Sequence, residues 1–338
     1  MKRVCLIHTG GTITMHKNAQ GVLEPGTIKE HILQYVPSIE QVADINHVLL
    51  CQLDSSDINP KHWAMIAEAI SERYHDYDGF VILHGTDTMA YTATALSFML
   101  GNLSKPVIIT GSQLPISDAG SDGVNNVLNA VRFACQPLSE VAIMFGHVLV
   151  RGNRAKKMSQ TNFDGFESPN VAPLAKLSTE LKFADHAIFR RTEHLELRTN
   201  LVTHVAFIKI FPGITNEFIL GMVPPRTKAV ILEAYGTGNF PIGEDGIQQA
   251  INEISQQGII TVIATQCIYG AVEYEKYQGG FFAKQHGALS ANDMTSEAAL
   301  IKLMWVLGQS SDYETIKRLY HTNLVGELTE RDNHDRWF

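Results

Sequence analysis

Short apolar runs that end in polar clusters recur along the chain, and this pattern predicts the fold. Phe80-Val81-Ile82-Leu83 reads as a buried parallel strand. It breaks at His84-Gly85 into Thr86-Asp87-Thr88, and residues 89–96 follow with helical spacing. Residues 4–7 form an earlier run of the same kind, with His8-Thr9-Gly10-Gly11-Thr12 at its carboxyl end. Residues 48–53 lead into Asp54-Ser55-Ser56-Asp57, and residues 107–110 into Gly111-Ser112-Gln113. Residues 141–145 read as a further strand. Between these runs, Asn59-Pro60 opens a helix whose apolar stripe is Trp63, Ile66, Ala67 and Ile70. Residues 125–135 read as another helix. Uniformly apolar strands alternating with helices predict an α/β domain on a parallel sheet, with helices on both faces.

A smaller alternation follows. Strands are predicted over 202–211, 229–233 and 259–265, and helices over 245–257 and 296–307. Tyr235-Gly236-Thr237-Gly238-Asn239 and Thr265-Gln266-Cys267 lie just beyond two of these strands. Residues 184–199 are charged without an apolar period, as an interdomain linker would be. The expected organisation is therefore an N-terminal catalytic α/β domain over 1–184, a linker over 185–201 and a smaller C-terminal α/β domain over 202–338. Residues 15–27 have no period and carry Gly21, Pro25 and Gly26, which predicts a mobile loop of the lid type.

The polar clusters carry the chemistry. Ligands of an open parallel sheet bind beyond the carboxyl ends of its strands. Four clusters converge there: Thr9 to Thr12, Asp54 to Asp57, His84 to Thr88 and Gly111 to Gln113. Taken alone, Asp87 is also a good helix N-cap. The basic run from Arg151 to Lys157 can bring a lysine to the same edge. Hydroxyls, a carboxylate, a lysine and glycine-flanked N–H groups suit acyl transfer by a hydroxyl nucleophile, with an oxyanion held by the backbone. A lysine beside a carboxylate and a hydroxyl can move the protons. Asp87 and Ser55 suit the ammonium and carboxylate of a small zwitterion. Neighbours on an extended chain point opposite ways, so Ser55 and Ser56, or Lys156 and Lys157, can exchange roles. His8 and His84 read as buried, hydrogen-bonded neighbours rather than catalysts.

Composition narrows the classes. The net charge is −8 with no Lys and Arg cluster able to track phosphates, which argues against nucleic acid. No His and Cys spacing fits a metal site, and Gly236, Gly238 and Gly243 do not fit a dinucleotide fingerprint, so no metal and no cofactor are expected. No run is long enough to span a membrane, and the run after Met1-Lys2-Arg3 is too short for a signal peptide. The 4 cysteines are scattered, with no Cys-x-x-Cys pair. A cytoplasmic location is expected.

Thr9-Gly10-Gly11-Thr12-Ile13 and His84-Gly85-Thr86-Asp87-Thr88 resemble the two signature motifs of the L-asparaginases. Leu53 to Asp57, Ile109 to Gln113, Arg151-Gly152-Asn153-Arg154, Tyr235 to Asn239 and Asp293-Met294-Thr295 fit the same family in order. The resemblance covers almost the whole chain and leans toward the bacterial cytoplasmic type I enzymes. It implies cofactor-free hydrolysis of L-asparagine to L-aspartate and ammonia through a threonine acyl-enzyme, in a homodimer or homotetramer. It implies Thr12 as nucleophile, with Thr86, Asp87 and Lys157 as the second catalytic group. Ser55 matches the grip on the substrate's α-carboxylate and Asp87 the grip on its α-amine. Gly11, Asp54, Ser56 and Thr86 complete the expected substrate-binding set, and Asn239 is expected to reach a neighbouring subunit's site. The family often has a Tyr in the loop after the first motif, where Val22 stands here. Competing expectations are an amidase of tRNA-dependent amidation, a non-catalytic sensor of the same ligand and a nicotinamide dehydrogenase.

Overall fold

The computed structural model describes residues 1–17, 23–25, 29–190 and 194–330. The chain divides into one unit over Met1–Thr199 and another over Asn200–Phe338. In the first, β1 (Arg3–Gly10), β2 (Asp44–Leu53), β3 (Gly79–Leu83), β4 (Val107–Thr110) and β5 (Val141–Phe145) run parallel. β6 (Val148–Arg151) turns back against β5, and β7 (Ala175–Lys176) turns back against β6. The sheet order is β7-β6-β5-β4-β3-β1-β2. β3, β4 and β5 are buried at every position, as the unbroken apolar runs require.

Helices α1 (Pro60–Glu72), α2 (Met89–Met99) and α3 (Gly123–Ala134) connect the parallel strands. Asn59 and Pro60 start α1, with the Asn59 side chain accepting from Lys61 N. α2 is buried almost all round, whereas α3 packs Val127, Ala130, Val131 and Ala134 into a core shared with Leu6, Val81, Ile108 and Met144.

Residues 148–151 form a strand that the sequence pattern did not signal. Gly146, at φ 57, makes the tight reversal from β5 into β6. Of the segment 185–201, expected as a linker, residues up to Thr199 belong to the first unit and several are bonded to it. Ser139 N donates to Ile188 O, Ile188 N to Glu140 Oε1 and Arg190 N to Ser139 Oγ. Glu196–Leu197 pairs antiparallel with Leu100–Gly101. Much of this attachment runs through the backbone, with Ala187 the described residue of the segment that enters the core, so the side chains show no apolar period. Met15–Lys17 pairs with Leu23–Pro25, while Val22 and much of the expected lid lie outside the described residues.

In the second unit β8 (Val205–Lys209), β9 (Ala229–Ala234), β10 (Ile260–Thr265) and β11 (Leu289–Ser290) run parallel in that order. Helices α4 (Gln248–Gln256), α5 (Ser296–Gln309) and α6 (Tyr313–His321) belong to this unit. Its core gathers Ile208, Val230, Leu232, Ile251, Ile254 and Ile263. The first strand is shorter than the predicted 202–211.

Candidate active site

Three backbone turns meet at the carboxyl end of the first sheet because two of them are glycine. Gly11 has φ +86, and a Cβ built there would lie 2.3 Å from Gly85 N. A Cβ on Gly85 would lie 2.6 Å from Ser55 Oγ. Only hydrogen at both positions lets the chains approach this closely. Gly11 N also donates to Leu53 O at 3.0 Å, and Thr88 Oγ1 donates to Ser55 O at 2.7 Å. Thr12 and Thr86 each follow one of the touching glycines, so the contact carries both threonines to one place. Thr12 is half-buried and opens a 3₁₀ turn over Thr12–Thr14.

Lys157 completes the cluster from the far side of the chain. Its Nζ donates to Thr86 Oγ1 at 2.7 Å and to Asp87 Oδ1 at 2.6 Å. The lysine side chain is 20% exposed and that of Asp87 68%, so the pair faces solvent at its carboxylate end. Asp87 is not a helix cap: Thr88 occupies the N-cap of α2, and no side chain caps that end. Lys156–Lys157 pairs antiparallel with Phe166–Glu167, and alternation along this short strand points the two lysines to opposite faces. Lys157 is the one directed at Thr86.

Ser55 and Ser56 are separated in the same way. Ser55 is buried against Gly85, whereas Ser56 is exposed. Asp54 is exposed too, and its carboxylate accepts from Ser56 N at 2.8 Å, which shapes the turn that presents Ser55. Asn239 belongs to the second unit, in a turn where its N–H donates to Tyr235 O and its carbonyl accepts from Tyr235 N. Glu233 and Cys267 are in that unit as well. Glu233 accepts from Ser296 Oγ at 2.6 Å, and Cys267 is an exposed free thiol.

Behind the cluster His84 is buried and hydrogen-bonded, as expected, in a network whose other members the sequence pattern did not name. His84 Nδ1 lies 2.7 Å from Gly85 O, and its Nε2 lies 2.9 Å from Thr92 Oγ1. Trp63 Nε1 donates to that same hydroxyl at 3.0 Å. A carbonyl only accepts, so Nδ1 carries the ring hydrogen and Nε2 accepts from Thr92. Burial pushes the His84 imidazole down to about 4, which keeps it neutral. His8 is pushed down to about 3 by burial and by His47, whose Nδ1 lies 2.9 Å from its Nε2. Among the described residues no group of three or more His, Cys, Asp or Glu is placed to hold a metal.

Comparison with known proteins gives concordant matches. The family model described as Asparaginase, N-terminal, matches residues 3–189, and that of the Glutaminase/Asparaginase C-terminal domain matches residues 204–320. The chain is 41% identical over 337 residues to L-asparaginase 1 of Escherichia coli (strain K12), covering 98% of this chain and 99% of that protein. The structure of the thermostable L-asparaginase from Thermococcus kodakarensis superposes with a TM-score of 0.91 at 33% identity, over 97% of this chain and 100% of that one. That of L-asparaginase I from Vibrio cholerae O1 biovar eltor gives 0.89 at 37% identity, over 97% and 99%.

Proposed function

The chain belongs to the asparaginase family, and from that premise we propose how its first unit works. The protein is an L-asparaginase hydrolase, converting L-asparagine to L-aspartate and ammonia. In our reading Thr12 Oγ1 attacks the carbon of the side-chain amide. The C–N bond breaks, the nitrogen leaves as ammonia, and an ester joins Thr12 to the aspartyl group. Water then attacks the ester and releases L-aspartate, which returns the hydroxyl to Thr12.

Protons must leave Thr12 and reach the departing nitrogen. The observation that supports Thr86, Asp87 and Lys157 in this task is the Lys157 Nζ donating to both Thr86 Oγ1 and Asp87 Oδ1. Because Thr86 Oγ1 accepts from the lysine, its own hydrogen faces away from Lys157, toward the substrate. Asp87 keeps its second oxygen for the substrate's α-ammonium while the first holds Lys157. Ser55 grips the α-carboxylate, and Thr86 offers a backbone N–H group beside the reacting carbonyl, while Gly11, its own N–H bonded to Leu53 O, shapes the substrate's floor by its close approach to Gly85. Asp54 and Ser56 contribute by shaping the Ser55 turn. Asn239 serves the site of a neighbouring subunit in a homodimer or homotetramer. The four free thiols suit a reducing, cytoplasmic setting.

Ammonia release from L-asparagine and L-glutamine at equal concentrations tests the reading, with Thr12→Ala beside the wild type. The expected result is release from asparagine that falls to background in the variant while its circular dichroism is unchanged. Full activity in Thr12→Ala would remove that residue from the nucleophile's role.

A further inference from the structure

We propose that Gln113 is a positioning residue for Lys157, its side-chain amide holding the turn beyond the lysine and so setting the ammonium against Thr86 and Asp87. The proposal rests on Lys157 moving protons as described above. Lys157 stands on a hairpin with two paired residues on each side, Lys156–Lys157 and Phe166–Glu167. A hairpin that short has little stability of its own and takes its place from outside contacts.

Gln113 supplies such a contact. Its Nε2 donates to Ser159 O at 3.2 Å and to Asn162 O at 3.0 Å, so both amide hydrogens are spent on the one turn. Gly165 makes room: a Cβ there would lie 2.8 Å from Gln113 Nε2. Gly165 O in turn accepts from Met158 N, the residue after Lys157, at 2.8 Å. The base of the anchor is also fixed. Gln113 N donates to both oxygens of Asp122, each at 3.0 Å, and Asn126 Nδ2 donates to the same carboxylate and to Gly111 O. Asn126 and Asp122 thereby join the β4 turn to the start of α3. A second tie, the His147–Asp164 pair on the same turn, is exposed and correspondingly weak. The chain of contacts runs from α3 through Gln113 to the turn and then to Lys157.

The test uses Gln113→Met, which keeps the shape without donors, and Gln113→Glu, which sets carboxylate oxygens against two carbonyls. Each is expected to lower kcat for asparagine about tenfold to a hundredfold, the cost of a misplacement near 1 Å, with KM changed less than about threefold. The pH limb of kcat is expected to move by about half a unit or more, because that limb reports the proton-handling group in the complex. Gly165→Ala is expected to reproduce the loss, and its combination with Gln113→Met to fall short of the product of the two. An unchanged kcat in Gln113→Met overturns the proposal, as does a loss of kcat with an unmoved pH limb. Should Gln113→Met not fold, Gly165→Ala decides by the same two readings. Lys157→Ala run in parallel separates the two ideas: full turnover there defeats the role of Lys157 itself, independently of Gln113.

Discussion

Two lysine–carboxylate pairs, one from each unit of this protein, have opposite surroundings. Lys157 and Asp87 meet at the mouth of the first sheet, partly in solvent, and share a threonine hydroxyl. Lys302 and Glu327 meet in the second unit with both side chains 0% exposed. The buried pair is saturated. Lys302 donates to Glu327 and to Thr322 O, and the glutamate also accepts from Leu324 N and Val325 N. It ties the segment after α6 back onto α5. In the open pair Lys157 takes one oxygen of Asp87 and the oxygen of Thr86, which leaves the second carboxylate oxygen and the hydroxyl hydrogen for the substrate role we propose. The same two functional groups make a structural clamp when sealed and filled and, in the role we propose for Lys157 and Asp87, a proton-handling device when left accessible beside a hydroxyl.

The largest expected effect separates the pairs by activity. Lys157→Ala should lower turnover of asparagine by about 10³-fold or more, within the range for losing a general acid–base group, and leave the melting temperature within a few degrees. A large drop in melting temperature with proportionate activity would make Lys157 a clamp like Lys302. Next is stability. Lys302→Ala strands a buried carboxylate and should destabilise the chain by about 3–5 kcal/mol in urea unfolding. The double change Lys302→Met with Glu327→Leu removes both charges together and should recover most of that loss. If the double variant is as unstable as the single one, charge burial is not the cause.

The smallest effect concerns acid. His84 is held neutral down to about 4, whereas an unfolded histidine takes up its proton near 6.5. Between those values the unfolded chain binds the extra proton, so stability is fully present above about pH 6.5 and declines as pH falls toward about 4. His84→Gln should flatten that decline in chemical unfolding at stepped pH. An equally steep decline in the variant would assign it to other groups, His8 first among them.

Much of this was legible in the chain itself. Unbroken apolar runs such as Phe80 to Leu83 announce buried parallel strands, because a strand covered on both faces has no polar position to alternate with. The polar clusters that follow them mark the sheet edge where Thr12, Ser55, Thr86 and Asp87 stand. Other features were silent for equally physical reasons. β6 depends on a tight reversal at Gly146, and the 185–201 segment docks largely through its backbone, so neither writes a side-chain pattern. That His84 is buried and hydrogen-bonded was legible, but its partners Thr92 and Trp63 were not, because a sequence does not say which distant side chain meets a sealed ring.

The sequence alone determined the order of strands, turns and polar clusters, since those follow from local periodicity and from glycine at the turns. Tertiary structure decided which of two neighbouring residues is turned into the cluster. Ser55 rather than Ser56 packs on Gly85, and Lys157 rather than Lys156 reaches Thr86. These choices hang on the register of a hairpin and on the contact of Gly11 with Gly85, which joins residues over seventy positions apart. A local pattern repeats every two or four residues, and such a pattern carries no information about which distant turn will meet it.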